Sequence, residues 1–354
     1  MHRMIRFLSL CLSVLMVLGL FAACGGETPE TTGATQPEET TAPTEPAPTE
    51  SPEEAKVLKI LTLGHSLAVD SCYMLNLVLA TEGIGQYEEV VVGTLYYSGC
   101  RLGQHVEFML NNSPEYRLYI SSSKDPSKPP VGTDGVTAKD AIMHDNWDII
   151  VMQGGAFEIT EEEAFTDGRV QAIQTYVNRY KTNPTSVFIW HTPWATPVDN
   201  DLRDTYPYDN NGYYTNYVQF NDQRSAFYEA IQNCASKYIA TDETFLYVIP
   251  TGTAIENALS SYLEEKDLHR DYAHATDYGR LIAAYTWYCR LMGIEELKEI
   301  KLDAIPKAFF KSTKGSEDRP LTDMEKAIAL EAINNALKNP FEMTQSQYTT
   351  APTL

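Results

Sequence analysis

Residues 57–67 read VLKILTLGHSL. Between positions 57 and 63 only Lys59 and Thr62 are polar, and the run stops at Gly64. A half-exposed strand alternates apolar and polar residues, whereas a short, nearly continuous apolar run marks a strand covered on both faces. Four more runs have this character: 89–95 (EVVVGTL), 148–153 (DIIVMQ), 186–191 (SVFIWH) and 245–250 (FLYVIP). Helical spacing fills the intervals. In 69–81, Tyr73, Leu77 and Ala80, with Met74 and Val78, recur at i, i+3, i+4. Further helices are expected over 137–144, 161–181, 217–238, 251–262 and 277–291, the last with Thr276 as N-cap. Strand and helix alternating at this interval predict a three-layer α/β/α sandwich around a five-stranded parallel sheet.

Two stretches break the pattern. Residues 113–136 (SPEYRLYISSSKDPSKPPVGTDGV) read as a surface excursion with hairpin character. Residues 199–217 gather Tyr206, Tyr208, Tyr213, Tyr214 and Tyr217 among Asp, Asn and Gly; they are candidates to anchor the excursion or to stack on sugar rings. One more amphipathic helix is expected over 322–338, followed by a polar tail.

The amino-terminal part has a different composition. Arg3 and Arg6 precede an uncharged, predominantly apolar stretch over 7–23, which ends in Ala22-Ala23-Cys24. This is the layout of a secretory signal, and the cysteine after two alanines resembles the lipobox of bacterial lipoproteins. Residues 25–55 have no aromatic, Val, Ile, Leu, Met, Lys or Arg residue and carry eight glutamates. Such a segment cannot bury enough apolar surface to offset its ordering entropy. The expected organisation is a lipoprotein signal (1–24), a disordered acidic spacer (25–55), a folded domain (56–310), and a carboxyl-terminal helix and tail (311–354). That places the domain outside the cytoplasm, tethered to the membrane through a lipid on Cys24. The net charge of −21 argues against nucleic acid and anionic headgroups as ligands. Cys72, Cys100, Cys234 and Cys289 have no C-x-x-C spacing, so no zinc site or other cofactor is expected; free thiols and disulfides both remain open.

In a doubly wound sheet, ligands gather beyond the carboxyl ends of the strands. Those ends carry Gly64-His65-Ser66-Leu67, Tyr97-Ser98-Gly99-Cys100, Gln153-Gly154-Gly155 and His191, and later Arg270-Asp271-Tyr272-Ala273-His274. A serine, a histidine three residues after an aspartate, and glycine-rich turns on one rim are the parts of a nucleophile, a base, an orienting carboxylate and backbone donors. Gly64-His65-Ser66-Leu67 resembles the block that opens SGNH (GDSL-like) hydrolases, and Asp271-x-x-His274 resembles their D-x-x-H block. Trp147-Asp148 to Gln153, with Arg270-Asp271 to His274, is similar to the W-D-x-x-x-x-Q and R-D-x-x-H blocks of an uncharacterised bacterial SGNH-like branch.

The resemblance implies a flavodoxin-like sheet and a metal-independent esterase acting on an acylated small molecule or glycan. Ser66 would be nucleophile, His274 base and Asp271 its orienter. The amides of Ser66 and Gly99, with the Gln153 side chain in place of the family's asparagine, would form the oxyanion hole. His65, His105, His191 and Trp194 are candidate substrate contacts, with packing as the alternative for His105. The nucleophile elbow G-x-S-x-G of α/β-hydrolases does not fit, because that fold places several strands before its serine. Two other readings stay open. One is a degenerate domain that binds surface glycans without turnover, motivated by the altered third block. The other is a metal-dependent hydrolase using His65, His105 or His191.

Overall fold

The computed structural model describes residues 55–128, 130–197, 223–305 and 319–352. The expected signal and lipid-bearing Cys24, nearly all of the spacer, the tyrosine group at 206–217 and residues 306–318 lie outside them. Among the described residues no helix is long and apolar enough to cross a membrane.

The chain enters the sheet through β1 (Val57–Gly64), turns into helices α1 (Ser66–Cys72) and α2 (Leu75–Glu82), and returns as β2 (Glu89–Tyr96). After α3 (Leu102–Asn111) come β3 (Tyr116–Ser122), β4 (Val131–Val136) and α4 (Ala138–Met143). Next are β5 (Ile149–Met152), α5 (Glu163–Thr166), α6 (Arg169–Tyr180), β6 (Val187–His191), α7 (Arg224–Cys234) and β7 (Phe245–Ile249). The last part is mainly helical, with α8 (Thr251–Leu259), α9 (Glu265–Leu268), α10 (Asp277–Leu291) and α11 (Asp323–Lys338), and a short antiparallel pair, Ala304–Ile305 with Arg319–Pro320, lies between the last two.

The large sheet has the order β4-β3-β2-β1-β5-β6-β7. Strands β2, β1, β5, β6 and β7 run parallel. Numbered among themselves they follow the order 2-1-3-4-5 of the flavodoxin-like doubly wound fold. The sheet has seven strands and not five, because the 113–136 excursion pairs antiparallel onto β2 as the hairpin β3–β4. Strand β3 is half-exposed and β4 mostly exposed, so neither shows the apolar run of a strand covered on both faces.

Helices fall into two packing groups. In one, α10 lies against α1, α2, α8 and α11; in the other, α6 lies against α3, α4 and α5. Right-handed crossovers require this division, since the chain winds to one side of β1 first and to the other afterwards. The expected helix over 69–81 is two helices in the structure, α1 and α2. That over 161–181 breaks at Gly168, which sits at φ 90°.

The described residues beyond α11 do not trail free. Thr344 N donates to Asn257 Oδ1 at 2.7 Å, Thr253 Oγ1 to Pro340 O at 2.7 Å, and Tyr262 N to Tyr348 O at 2.9 Å. Trp147 and Asp148 sit at the far end of the sheet from the serine. The Trp147 ring lies so close to Gly93 that a Cβ there would be 2.8 Å from it. Asp148 accepts from Lys59 N at 2.9 Å and Asn183 Nδ2 at 3.0 Å, closing the start of β1 and β6.

Candidate functional site

The strand order reverses at β1, so the loops after β1 and β5 part and leave a crevice, the place where this architecture puts ligands. A cleft of about 940 Å³ opens there. His65, Ser66 and Leu67 line it from the β1 end; Tyr97, Ser98 and Gly99 come from the β2 end, Gly155, Ala156 and Phe157 from the β5 end, and Tyr272, Ala273 and His274 from the turn before α10. Ser66 and His274 are both half-buried. The structure thus brings these two residues, far apart in the chain, to one cavity. Among the described residues neither Ser66 Oγ nor His274 Nε2 has a hydrogen-bond partner, so they share the cleft without being bonded to each other.

His274 is held by its own turn. Its Nδ1 lies 2.9 and 3.0 Å from the two carboxylate oxygens of Asp271. Asp271 Oδ1 also accepts from the amides of Ala273 at 2.9 Å and His274 at 2.8 Å. Burial by itself would raise this carboxyl; the hydrogen bond and charge of the His274 ring and the two amides outweigh it and hold the pKa down to about 2. An ionised carboxylate accepts only, so Nδ1 carries the proton. In the neutral ring Nε2 is then the basic nitrogen.

His65 has a structural task. It is the N-cap of α1: its Nδ1 accepts from Leu67 N at 3.4 Å, and its Nε2 lies 3.2 Å from Gly154 O. A carbonyl only accepts, so Nε2 is the protonated nitrogen, and both ring nitrogens are committed to the protein. Burial pushes this histidine down to about 4. It lines the cleft while pinning the β1 loop to the β5 loop.

Gln153 does not join the cleft. It is buried at 1% exposure, its Oε1 accepts from His65 N at 3.3 Å, and its Nε2 donates to His191 Nδ1 at 3.0 Å. The expected third oxyanion donor is therefore turned inward beneath Gly64, where a Cβ would come within 2.7 Å of Gln153 Oε1. His191 and Trp194 are likewise interior. His191 is fully buried against Trp287, with its Nε2 3.4 Å from Ser71 Oγ and its pKa pushed by burial to about 3. Trp194 Nε1 donates to Ala273 O at 2.8 Å, which supports the His274 turn from behind. His105 stacks on Tyr116, with Nδ1 2.8 Å from its hydroxyl. None of these three lines the cleft, so their expected substrate contacts are corrected to packing.

Gly99 does reach the cleft, at φ 60° in a turn closed by Cys100 N donating to Tyr97 O at 3.2 Å. Glycine takes that left-handed backbone without steric cost. Among the described residues the amides of Ser66 and Gly99 have no hydrogen-bond partner. The cleft's outer wall is charged: Arg101, Glu158, Glu161, Glu163 and Arg169 line it. Glu158 accepts from the amides of Leu102 at 2.6 Å and Gly103 at 3.3 Å, capping α3, and from Arg169 Nη1 at 2.8 Å. Sequence reading had no signal for this wall, because its members come from four elements with no fixed spacing. Among the described residues no group of three or more His, Cys, Asp or Glu side chains is arranged to hold a metal ion. All four described cysteines are buried free thiols.

The sequence family described as a domain of unknown function (DUF4886) matches residues 59–304. A DUF4886 family protein from Bacteroides uniformis superimposes with a TM-score of 0.64 at 22% identity, over 83% of this chain and 100% of that one. That likeness shows a shared fold. More distant are a protein from Slackia heliotrinireducens proposed to be an SGNH hydrolase (TM-score 0.39, 15% identity, 66% of this chain and 97% of that one) and an acetylxylan esterase from Geobacillus stearothermophilus (0.39, 12%, 68% and 95%). Those two are too remote to bear on function. No curated protein matches the sequence. The topology, with the serine directly after the first strand and the D-x-x-H turn directly before α10, is that of a flavodoxin-like doubly wound sheet.

Proposed function

The chain belongs to the DUF4886 family, and from the cleft at its strand-order reversal we propose that it is a serine esterase with Ser66 as nucleophile. One observation carries this reading: a histidine fixed by a carboxylate in the tautomer that frees Nε2 opens onto the same cleft as the unbonded Ser66 hydroxyl. His274 would take the Ser66 proton as Oγ attacks the acyl carbonyl carbon. The amides of Ser66 and Gly99 would donate to the resulting oxyanion. Collapse would break the ester C–O bond, with His274 returning the proton to the departing alcohol. Water, deprotonated by the same imidazole, would then release the acid and restore Ser66. The missing Ser66–His274 hydrogen bond is compatible with this, since such bonds often tighten only once substrate is bound.

The charged wall favours a polar alcohol over a long-chain lipid, and an acylated glycan fits a cleft of this size and polarity. Export and a lipid on Cys24 are part of the same proposal. They rest on the sequence of residues 1–24 and would put the enzyme outside the cytoplasm, anchored to the cell membrane, where glycans are met. A second reading, a glycan-binding domain without turnover, draws on the withdrawal of Gln153 from the cleft. A fluorophosphonate probe separates the two. Labelling of the wild type that disappears in Ser66→Ala is the expected result; a folded wild type that never labels sinks the esterase reading.

A further inference from the structure

Asp70 lies one helical turn after Ser66 on α1, on the same face of the helix. It is 2% exposed, and its carboxylate is the meeting point of three parts of the chain. Arg280, on α10, donates Nε at 2.9 Å and Nη2 at 2.8 Å to Oδ1. Arg270 donates Nη1 at 3.3 and 3.1 Å to the two oxygens. The backbone N–H of Ala275 donates to Oδ2 at 3.0 Å.

Arg270 and Ala275 are the two ends of the turn that carries Asp271 and His274. That turn is itself closed by Arg270 N donating to His274 O at 2.9 Å, by Arg270 Nη1 donating to Ala275 O, and by the bridge between His269 and Ala275. The carboxylate therefore grips the base's turn as one unit and holds it to the nucleophile's helix. The two arginines are balanced by other acids: Arg280 Nη1 also donates to Asp277 at 2.9 Å, and Arg270 Nε lies 3.8 Å from Asp271. Arg280 is further fixed over the Tyr73 ring at 4.3 Å. A buried carboxylate is costly unless it is fully paired. A simple core contact between α1 and α10 could be apolar, yet here the chain commits a charge and two arginines.

The geometry points to Asp70 as the positioning residue that sets the placement of His274 relative to Ser66, acting on turnover through the histidine and not on substrate binding. This rests on the esterase reading above. Arg270 is its partner on the loop side and Arg280 its anchor.

The test is a double-mutant cycle on p-nitrophenyl acetate, using the complete chain, with thermal melts to verify that each variant is folded. Asp70→Asn is expected to lower kcat by about 100-fold, as misplacing a catalytic group by an ångström does, with KM changed less than about threefold. In a His274→Ala background the same substitution is expected to cost less than about threefold, because the group it positions is gone. An equal loss in both backgrounds, or unchanged kcat in folded Asp70→Asn, overturns the positioning role while leaving the esterase intact. Should Asp70→Asn not fold, Arg270→Gln reads the same grip from the half-exposed loop side and is held to the same two outcomes. A wild type inert to both the ester and the fluorophosphonate overturns the esterase reading, and the positioning role with it.

Discussion

Removing the Asp271 carboxylate takes away the acceptor that keeps the proton on His274 Nδ1. Asp271→Asn is expected to cost about 10⁴-fold in kcat with little change in KM, the scale of loss when a triad imidazole adopts the wrong tautomer; steady-state hydrolysis of p-nitrophenyl acetate measures it. Gln153 gives the opposite contrast. An oxyanion donor is worth about 10²–10³ in kcat. Gln153 spends its amide on His65 N and His191, so Gln153→Ala is expected to leave kcat within about tenfold. It should instead destabilise the fold by about 1–3 kcal/mol, the cost of stranding buried partners. Urea denaturation beside the kinetics distinguishes the two, and a hundredfold fall in kcat at unchanged stability would return Gln153 to the oxyanion hole. The meeting of Ser66 and His274 at one cleft, with Asp271 beside the ring, was legible because it follows from short spacing and from sitting at strand ends. The inward turn of Gln153 was not. It is one residue past β5, and what lies beneath the sheet at that point is set by residues from β1 and β6.

Strands β1 and β2 and helix α10 show how elements inherit their form from sequence. β1 and β2 are apolar on both faces because helices cover both, and Gly93 in β2 is glycine because Trp147 occupies the space a side chain would need. Gly93→Ala is expected to cost about 1–3 kcal/mol by overpacking, read as a lower midpoint in urea at unchanged slope. Thr276 caps α10 by accepting from Gly279 N at 3.1 Å, and α10 carries Arg280. Thr276→Ala is expected to cost about 0.5–2 kcal/mol, seen in the melting temperature. The hairpin β3–β4 was foreseeable as a hairpin but not as part of the sheet. The pair closes one side of the sheet with β3 half-exposed and β4 mostly exposed, so its sequence lacks the apolar run by which the central strands are recognised.

At the scale of the whole molecule, four histidines of the described residues are held neutral in the interior. Burial, the dominant cause in each, lowers His65 and His269 to about 4 and His105 and His191 to about 3. In the unfolded chain these rings take up protons near the ordinary value of 6.5, so below it the unfolded state binds more protons than the folded one. Stability is therefore full above pH 6.5 and is lost progressively as pH falls toward 3–4. Melting temperatures taken from pH 8 to pH 4 are expected to be flat and then to fall, and His191→Gln is expected to flatten that fall. A melting temperature independent of pH across this window would contradict neutral burial of these rings. Sequence alone determined the alternation of strands and helices, the placing of a serine at the first strand's end, and the aspartate–histidine turn. Each of these depends on neighbours within a few residues or on a local apolar pattern. Only the tertiary structure decided which polar side chains face the cleft, that Gln153, His105, His191 and Trp194 turn away from it, and that Asp70 joins the helix of Ser66 to the turn of His274. The reason is physical: a buried polar group must find its partners wherever the fold brings them, and Asp70 finds its own two hundred residues further along the chain.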